Sequence, residues 1–183
     1  MSIFPKPYAD AVQRLRVSSG LLLAAAFVWL AQPVLPTLAL GFPIALLGLA
    51  IRAWAAGHLR KNDTLTTSGP YAFVRNPLYI GTLLTAIGCT VAAARPTLAA
   101  LAGAVFLFVY LPVMELEEQH LARLFPDFKD YAARVPQLLP RIPASLPPQR
   151  FCWSLYRRNK EEKAAYGFLT VYAFLIAKAI LLP

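Results

Sequence analysis

Five apolar runs, separated by short polar or proline-rich breaks, set the pattern of this chain. Residues 17–31 are almost wholly apolar and end in Gln32-Pro33-Val34-Leu35-Pro36, a turn sequence. Residues 37–56 form the second run, with Arg52 in its last turn, where the stem can lie along apolar surface while the head reaches the interface. The pair predicts a helical hairpin over 15–56. A bilayer core needs about 20 residues, so the first helix is short unless it begins near Leu15. The third run is 78–94, closed by the corner Arg95-Pro96, and the fourth is 97–114, with Pro112 placed to kink the helix and turn the next segment away. The fifth is 164–182.

The segments between the runs are different in kind. Residues 57–77 are polar, with a turn signal at Gly69-Pro70. In 115–125, Leu116, Gln119, His120 and Arg123 follow helical spacing and predict a solvent-facing helix that Pro126 breaks. A second short amphipathic helix is predicted over 127–135, with Phe128, Tyr131 and Ala132 on one face. Pro136, Pro140, Pro143, Pro147 and Pro148 make an irregular stretch to Gln149, and 150–163 is basic and aromatic, an interfacial composition. No internal repeat or low-complexity tract interrupts this order. The expected fold is all-α: a polytopic membrane helical bundle of about five transmembrane helices with cytoplasmic amphipathic helices. It forms a single membrane domain over 1–183.

Composition makes the lipid setting firm. Of 183 residues 58% are hydrophobic, and the mean hydropathy is +0.53. Soluble domains run nearer ~45–50% apolar, and a core this small cannot hide the excess. Eighteen Lys and Arg against nine Asp and Glu give a net charge of +9. Such a charge can mark nucleic-acid binding, but here the cations flank apolar runs rather than covering one polar platform. They point to anionic lipid head groups and to topology, with no nucleic acid as partner. If the N-terminus lies inside, 16 of the 18 cations fall on that side and only Arg95 and Lys178 on the other. The expectation is therefore a cytoplasmic N-terminus and a C-terminus on the opposite side. Pro5, Pro7, Asp10, Arg14 and Arg16 precede the first run, which leads on to further spans rather than to a cleavage site. Cys89 and Cys152 have unlike surroundings and predict neither a disulfide nor a metal site.

Two stretches carry chemistry that a simple anchor does not need. Ser68 through Gly81 places Arg75, Asn76 and Tyr79 at the mouth of a transmembrane helix. Pro77 suits a first helical turn and Asn76 an N-cap. The free N–H groups and the positive end of the helix dipole favour an anionic group there, such as a carboxylate. The other stretch, Glu115-Leu116-Glu117-Glu118-Gln119-His120, sets three carboxylates in four positions directly after a span. Glu117 and Glu118 point about 100° apart on a helix, so at most one or two of the three share a pocket. A carboxylate at a membrane-side pocket can hold a cation or take a proton from an amine. A capped helix start and an acidic first turn would also account for both stretches.

Taken in order, these pieces resemble the isoprenylcysteine carboxyl methyltransferase and phospholipid methyltransferase superfamily of membrane enzymes. That pattern is a Gly-Pro-Tyr turn, an Arg-His-Pro-x-Tyr-x-Gly helix start, a Glu-Glu pair, an aromatic segment and a proline-bearing tail. The chain has Gly69-Pro70-Tyr71, Arg75-Asn76-Pro77-Leu78-Tyr79-Ile80-Gly81, Glu117-Glu118, Phe125 through Tyr131, and Val135-Pro136 through Pro140, so the similarity runs over about 56–141. On this resemblance 57–149 is a methyltransferase-like core and 150–183 a basic interfacial segment with the last transmembrane helix. The resemblance implies an S-adenosylmethionine pocket at the cytoplasmic ends of the later helices. Tyr71, Asn76, Tyr79, Gly81 and Glu118 would contact the cofactor, Leu138 and Leu139 would line the adenine side, and Tyr131 would close the pocket. Arg75 and Glu117 would orient the acceptor, with Glu117 or Glu118 relaying a proton if the acceptor is an amine. Asn76 departs from the pattern's His: it donates and accepts hydrogen bonds but does not titrate. His58 is a lesser candidate, more at home as an interfacial residue.

The expected activity is S-adenosylmethionine-dependent methyl transfer to a lipophilic acceptor, a lipid amine or a prenylcysteine-like carboxylate, with membrane lipids as neighbours. Two other classes stay open. A membrane reductase of the sterol reductase type would use NADPH, its 2′-phosphate met by the basic rim. A non-catalytic membrane protein would need none of these groups.

Overall fold

The computed structural model describes residues 4–143 and 149–181. Pro147, Pro148 and Leu182 lie outside the described residues, as do the side chains of Lys6 and Arg16. All regular structure among the described residues is helical. α1 (Lys6–Leu30) carries Pro7 in its first turn and is bent by 50° between Leu15 and Ser18. α2 (Leu35–Ala56) and α3 (Pro77–Ala92) each carry proline at the helix start, where its missing N–H is harmless. A short 3₁₀ turn at Gly69–Ala72 lies between them.

α4 (Pro96–Val105), a π-helical turn (Phe106–Tyr110) and α5 (Leu111–Leu124) form one continuous rod. This corrects the expected kink at Pro112 and the separate solvent-facing helix after it. The π turn absorbs the proline: the Leu111 N–H reaches back five residues to the Phe106 carbonyl. Pro112 cannot serve the Phe108 carbonyl four residues back, and the Tyr8 hydroxyl donates to it instead at 2.7 Å. At about 1.5 Å per residue the rod is about 43 Å long, against a hydrocarbon core of about 30 Å. Its second half therefore carries Glu115, Glu117 and Glu118 beyond the apolar layer. α6 (Phe128–Arg134), α7 (Trp153–Arg158) and α8 (Glu162–Leu181) complete the chain.

The α2–α3 contact is built from small residues. A Cβ at Gly41 would stand 2.3 Å from the Gly88 carbonyl oxygen, and one at Gly48 2.5 Å from that of Gly81. Such close approach of two backbones gives the dense van der Waals packing that holds helices together where lipid offers no hydrophobic drive. α3 has only 16 residues but lies along α2 over this whole seam. At the end away from the polar loops, Leu38, Ala45, Cys89, Leu98, Phe168, Tyr172 and Leu175 form a buried cluster. Arg95 and Lys178, the two cations expected on that side, donate to the last carbonyls of α1 at Leu30 and Val28.

Leu21, Leu22, Trp29, Leu40, Phe108 and Leu169 are exposed on the outer faces, as suits lipid contact. Among the described residues, three helices are long and apolar enough to cross a membrane: Leu35–Ala56, Pro96–Leu124 and Glu162–Leu181. The bent α1 makes a fourth if counted as one span, and α3 is a shorter apolar helix. The protein is an integral membrane helical bundle. Arg52 differs from its expected place at the interface: it is turned inward, where Nη2 meets Glu161 Oε2 at 2.9 Å and Nη1 donates to Thr82.

Candidate active site

The turn before α3 is shaped by two local demands. Gly69 has φ of +57°, the left-handed region glycine tolerates, and a Cβ there would press into the His58 ring at 2.7 Å. His58 is buried between the Trp54 and Gln149 carbonyls, 2.9 and 3.3 Å from its Nδ1 and Nε2, and is thus part of the scaffold. The strand-like tail after α6 then docks on the turn: the Arg75 N–H donates to Pro136 O and the Arg141 N–H to Phe73 O, both at 2.9 Å.

Arg75 is the hub of this region. Nε and Nη2 donate to the two oxygens of Glu118 at 2.9 and 3.0 Å. Nη1 donates to the Ala132 and Val135 carbonyls at 2.8 and 2.9 Å. One guanidinium thus joins the start of α3, the middle of α5 and the C-terminal end of α6, where a cation complements the helix dipole. Asn76 occupies the N-cap position of α3, but its side chain does not cap the helix. Its Nδ2 donates to Glu118 Oε1 at 2.9 Å and lies 3.5 Å from Gln137 O. A hydrogen bond to a carboxylate is stronger than one between neutral groups, which explains the departure from the expected cap.

These residues border a cavity of about 530 Å³ at the polar end of the bundle. Tyr71, Arg75, Asn76, Tyr79, Glu117, Glu118 and Tyr131 all line it. Gly81, Leu138 and Leu139 do not. Gly81 faces α2, where a Cβ would stand 2.5 Å from Arg52 Cγ, so this glycine serves helix packing. Leu139 is 82% exposed, and Leu138 is half-buried in the tail outside the cavity. The lining also holds residues outside the expected site set: Asp10 and Gln13 of α1, Thr64 and Thr66 of the polar loop, and His120 and Arg123 of α5. The polarity of the loop was a usable signal. The return of α1 over the cavity had none.

The two acidic residues divide as their helical angle requires. Glu118 is consumed by Arg75 and Asn76. Glu117 is exposed on the cavity wall and makes no hydrogen bond or ion pair among the described residues. Two buried tyrosines stand nearby. The Tyr131 hydroxyl donates to the Tyr71 carbonyl at 2.8 Å. Burial pushes the Tyr131 phenol well above its ordinary range, with Arg75 opposing and Glu118 adding. Burial likewise raises Tyr71, with Tyr131 and Glu117 adding to it. Both phenols therefore stay protonated as donors. The Tyr71 hydroxyl is buried without a hydrogen-bond partner, an unmet donor in the wall of the cavity.

The profile described as "Phospholipid methyltransferase" matches residues 36–127, half of the chain. The chain belongs to the phospholipid methyltransferase family. Arg75, Asn76, Glu117 and Glu118 all fall inside the matched segment, whereas Tyr131 and everything from α7 onward lie outside it. Among similar proteins is the "Cobalt-zinc-cadmium resistance protein CzcN" of Cupriavidus metallidurans, 39% identical over 114 residues, covering 61% of this chain and 51% of that one. The "Nickel-cobalt-cadmium resistance protein NccN" of Alcaligenes xylosoxydans xylosoxydans is 35% identical over 116 residues, covering 62% and 53%. The matches span about half the length of these curated relatives. No solved structure matches the chain significantly.

Proposed function

We propose that the protein is a membrane methyltransferase that uses S-adenosylmethionine to methylate a lipophilic acceptor. The observation that carries this reading is the cavity itself: family-matched Arg75 and Asn76, from the turn before α3, and Glu117 and Glu118, from α5, converge on it. Its residues fit the donor. A volume of about 530 Å³ lies within the ~300–1,000 Å³ of small-molecule sites. The uncommitted Glu117 carboxylate suits a sulfonium or ammonium charge, and the unmet Tyr71 hydroxyl can serve a polar atom of the ligand. When bound, the donor supplies a methyl carbon that the acceptor's lone pair can attack in line, with the C–S electrons leaving on a neutral thioether.

The protein's share is alignment and proton handling. The Arg75–Glu118 pair fixes the cavity wall. Tyr79 stands beside it, edge-on to Tyr110 with centroids 5.9 Å apart. Glu117 is the group able to take the proton an amine acceptor must lose, while a carboxylate acceptor needs no base. We favour a lipid amine. The bias of 16 cations to 2 supports a cytoplasmic N-terminus and site, with the C-terminus on the opposite face.

Calorimetry of S-adenosylmethionine and of its demethylated product in detergent tests the reading, followed by labelled methyl transfer into lipid extracts and prenylcysteine analogues. Micromolar binding of both and transfer into one acceptor class are expected. Folded protein that binds neither ligand, or that is shifted in melting by NADPH alone, overturns it. The metal resistance in the relatives' names is theirs, and nothing in this structure favours a second reading on that ground.

A further inference from the structure

A second cavity, of about 500 Å³, adjoins the first and shares Leu59, Lys61, Leu78, Tyr79 and Glu117 with it. Its other walls come from the C-terminal half of α2 (Arg52), the second turn of α3 (Thr82), the π turn (Tyr110) and the corner 158–161 between α7 and α8. That corner lies beyond the family-matched segment.

The charges of the cavity sort cleanly. Arg52 is neutralised by the buried Glu161, and Arg158 pairs with Asp63 at 3.1 Å. Among the described residues, Lys61 and Lys160 have no hydrogen-bond or ion-pair partner for their ammonium groups, and Glu117 has none on the shared wall. The corner is also held deliberately. Lys160 has φ of +55°, a region that β-carbon-bearing residues avoid. It is kept there by its neighbours: Asn159 Nδ2 donates to the Ala56 and Leu59 carbonyls at 2.9 and 3.0 Å, and Glu161 is clamped on Arg52. Strain that the surroundings over-determine points to a use for the residue that bears it.

We propose that this second cavity binds the anionic group of an amphiphile, a phosphate or a carboxylate, with Lys61 and Lys160 as its counter-charges. The proposal rests on the methyltransferase reading for its purpose: with the donor in the first cavity, an acceptor anchored by its anion in the second meets it at the Tyr79–Glu117 wall. The binding itself does not depend on that reading.

The probes are dihexanoyl phosphatidate, hexanoate and neutral dihexanoylglycerol, titrated by calorimetry into the full chain in maltoside micelles. Saturable binding of the phosphatidate, the hexanoate or both, with the neutral probe at least tenfold weaker, is expected, and the anionic probe that binds names the source. Lys160→Gln should weaken that binding about fivefold and the double variant Lys61→Gln/Lys160→Gln more than tenfold. Lys160→Gly relieves the backbone while deleting the charge, so it should melt no lower than wild type yet bind as weakly as Lys160→Gln. Equal binding of neutral and anionic probes, or unchanged affinity in Lys160→Gly, overturns the proposal. S-adenosylmethionine binding is measured on the same samples. Its absence in wild type defeats the methyltransferase reading alone, because the amphiphile titration is read without it.

Discussion

Removing the Glu118 carboxylate should cost more than a surface acidic residue would, and the structure says how much. Glu118→Ala strips the partner from three donors at once: Arg75 Nε, Arg75 Nη2 and Asn76 Nδ2. The Arg75 and Glu118 side chains are 15% and 17% exposed, so the guanidinium is left mostly desolvated. Breaking a buried ion pair by deleting one member costs about 3–5 kcal/mol, and residual solvation brings the expectation here to about 2–3 kcal/mol. Arg75→Ala also abandons the Ala132 and Val135 carbonyls. An unmet buried acceptor costs about 1–3 kcal/mol, so about 4 kcal/mol is expected. The double variant leaves no orphaned charge and should lie close to Arg75→Ala alone, a coupling of about 2 kcal/mol between neighbours. Arg75→Lys keeps the charge but not the fork, and should recover less than half of the loss. Chemical denaturation in detergent micelles, followed by near-ultraviolet circular dichroism, reads all four. Losses that add to within about 0.5 kcal/mol would refute the claim that the pair acts as one staple.

Other expectations follow from single features. A Cβ at Gly88 would stand 2.3 Å from the Ala45 amide nitrogen, whereas one at Gly103 meets nothing within 4 Å. Gly88→Ala should therefore lower stability by about 1–3 kcal/mol and Gly103→Ala should be neutral or stabilising, as paired melting curves would show. Tyr71 and Tyr131 have raised pKa values in the folded state. The unfolded chain loses those protons near pH ~10, so their contribution to stability is intact below that pH and declines as pH rises above it. Tyr71→Phe should flatten this alkaline loss, and phenolate absorbance should show no tyrosine titrating near pH 10 missing from that variant before unfolding begins. The Cys152 thiol is held below its ordinary range by the Ser154 hydroxyl, 3.0 Å away, and by the Leu155 and Ser154 amides. Mass-spectrometric mapping at neutral pH should find it alkylated well before the buried Cys89, and Ser154→Ala should slow it. Equal rates at the two cysteines would sink that argument.

The parts of the fold legible in the sequence are those that local chemistry decides. Apolar runs bounded by Gln32-Pro33, Gly69-Pro70 and Arg95-Pro96 become helices because lipid and proline act residue by residue. Pro112 shows where this stops. Its effect depended on a π turn and on a Tyr8 hydroxyl about 100 positions away, so the same residue that predicts a kink instead sits inside a continuous rod. Arg52 is a similar case: its place in a last helical turn favours the interface, but the buried Glu161, brought in by the final helix, outweighs that preference. Gly81 stands in the family-like motif, yet its place in the fold is a helix seam. The spacing Gly41, Ala45, Gly48 against Gly81, Thr85, Gly88 could have revealed its packing role, since small residues at intervals of three and four make a helix seam.

The candidate site was legible as a set of residues and opaque as a division of labour. Helix geometry requires Glu117 and Glu118 to face apart, but only the tertiary structure says which one Arg75 takes. Because it takes Glu118, Arg75 has Nε, Nη1 and Nη2 all engaged by the protein before any ligand arrives. A guanidinium so occupied is suited to hold walls in place, not to change partners during a reaction. Asn76 follows the same logic: donating to Glu118 needs a fixed N–H, not a titrating ring, so an amide can stand where the resembling pattern has an imidazole. The group left able to respond to a ligand is Glu117, at the boundary of the two cavities. On the methyltransferase reading, the proton chemistry belongs to the acidic residue that the structure leaves alone, and the motif's arginine acts by position.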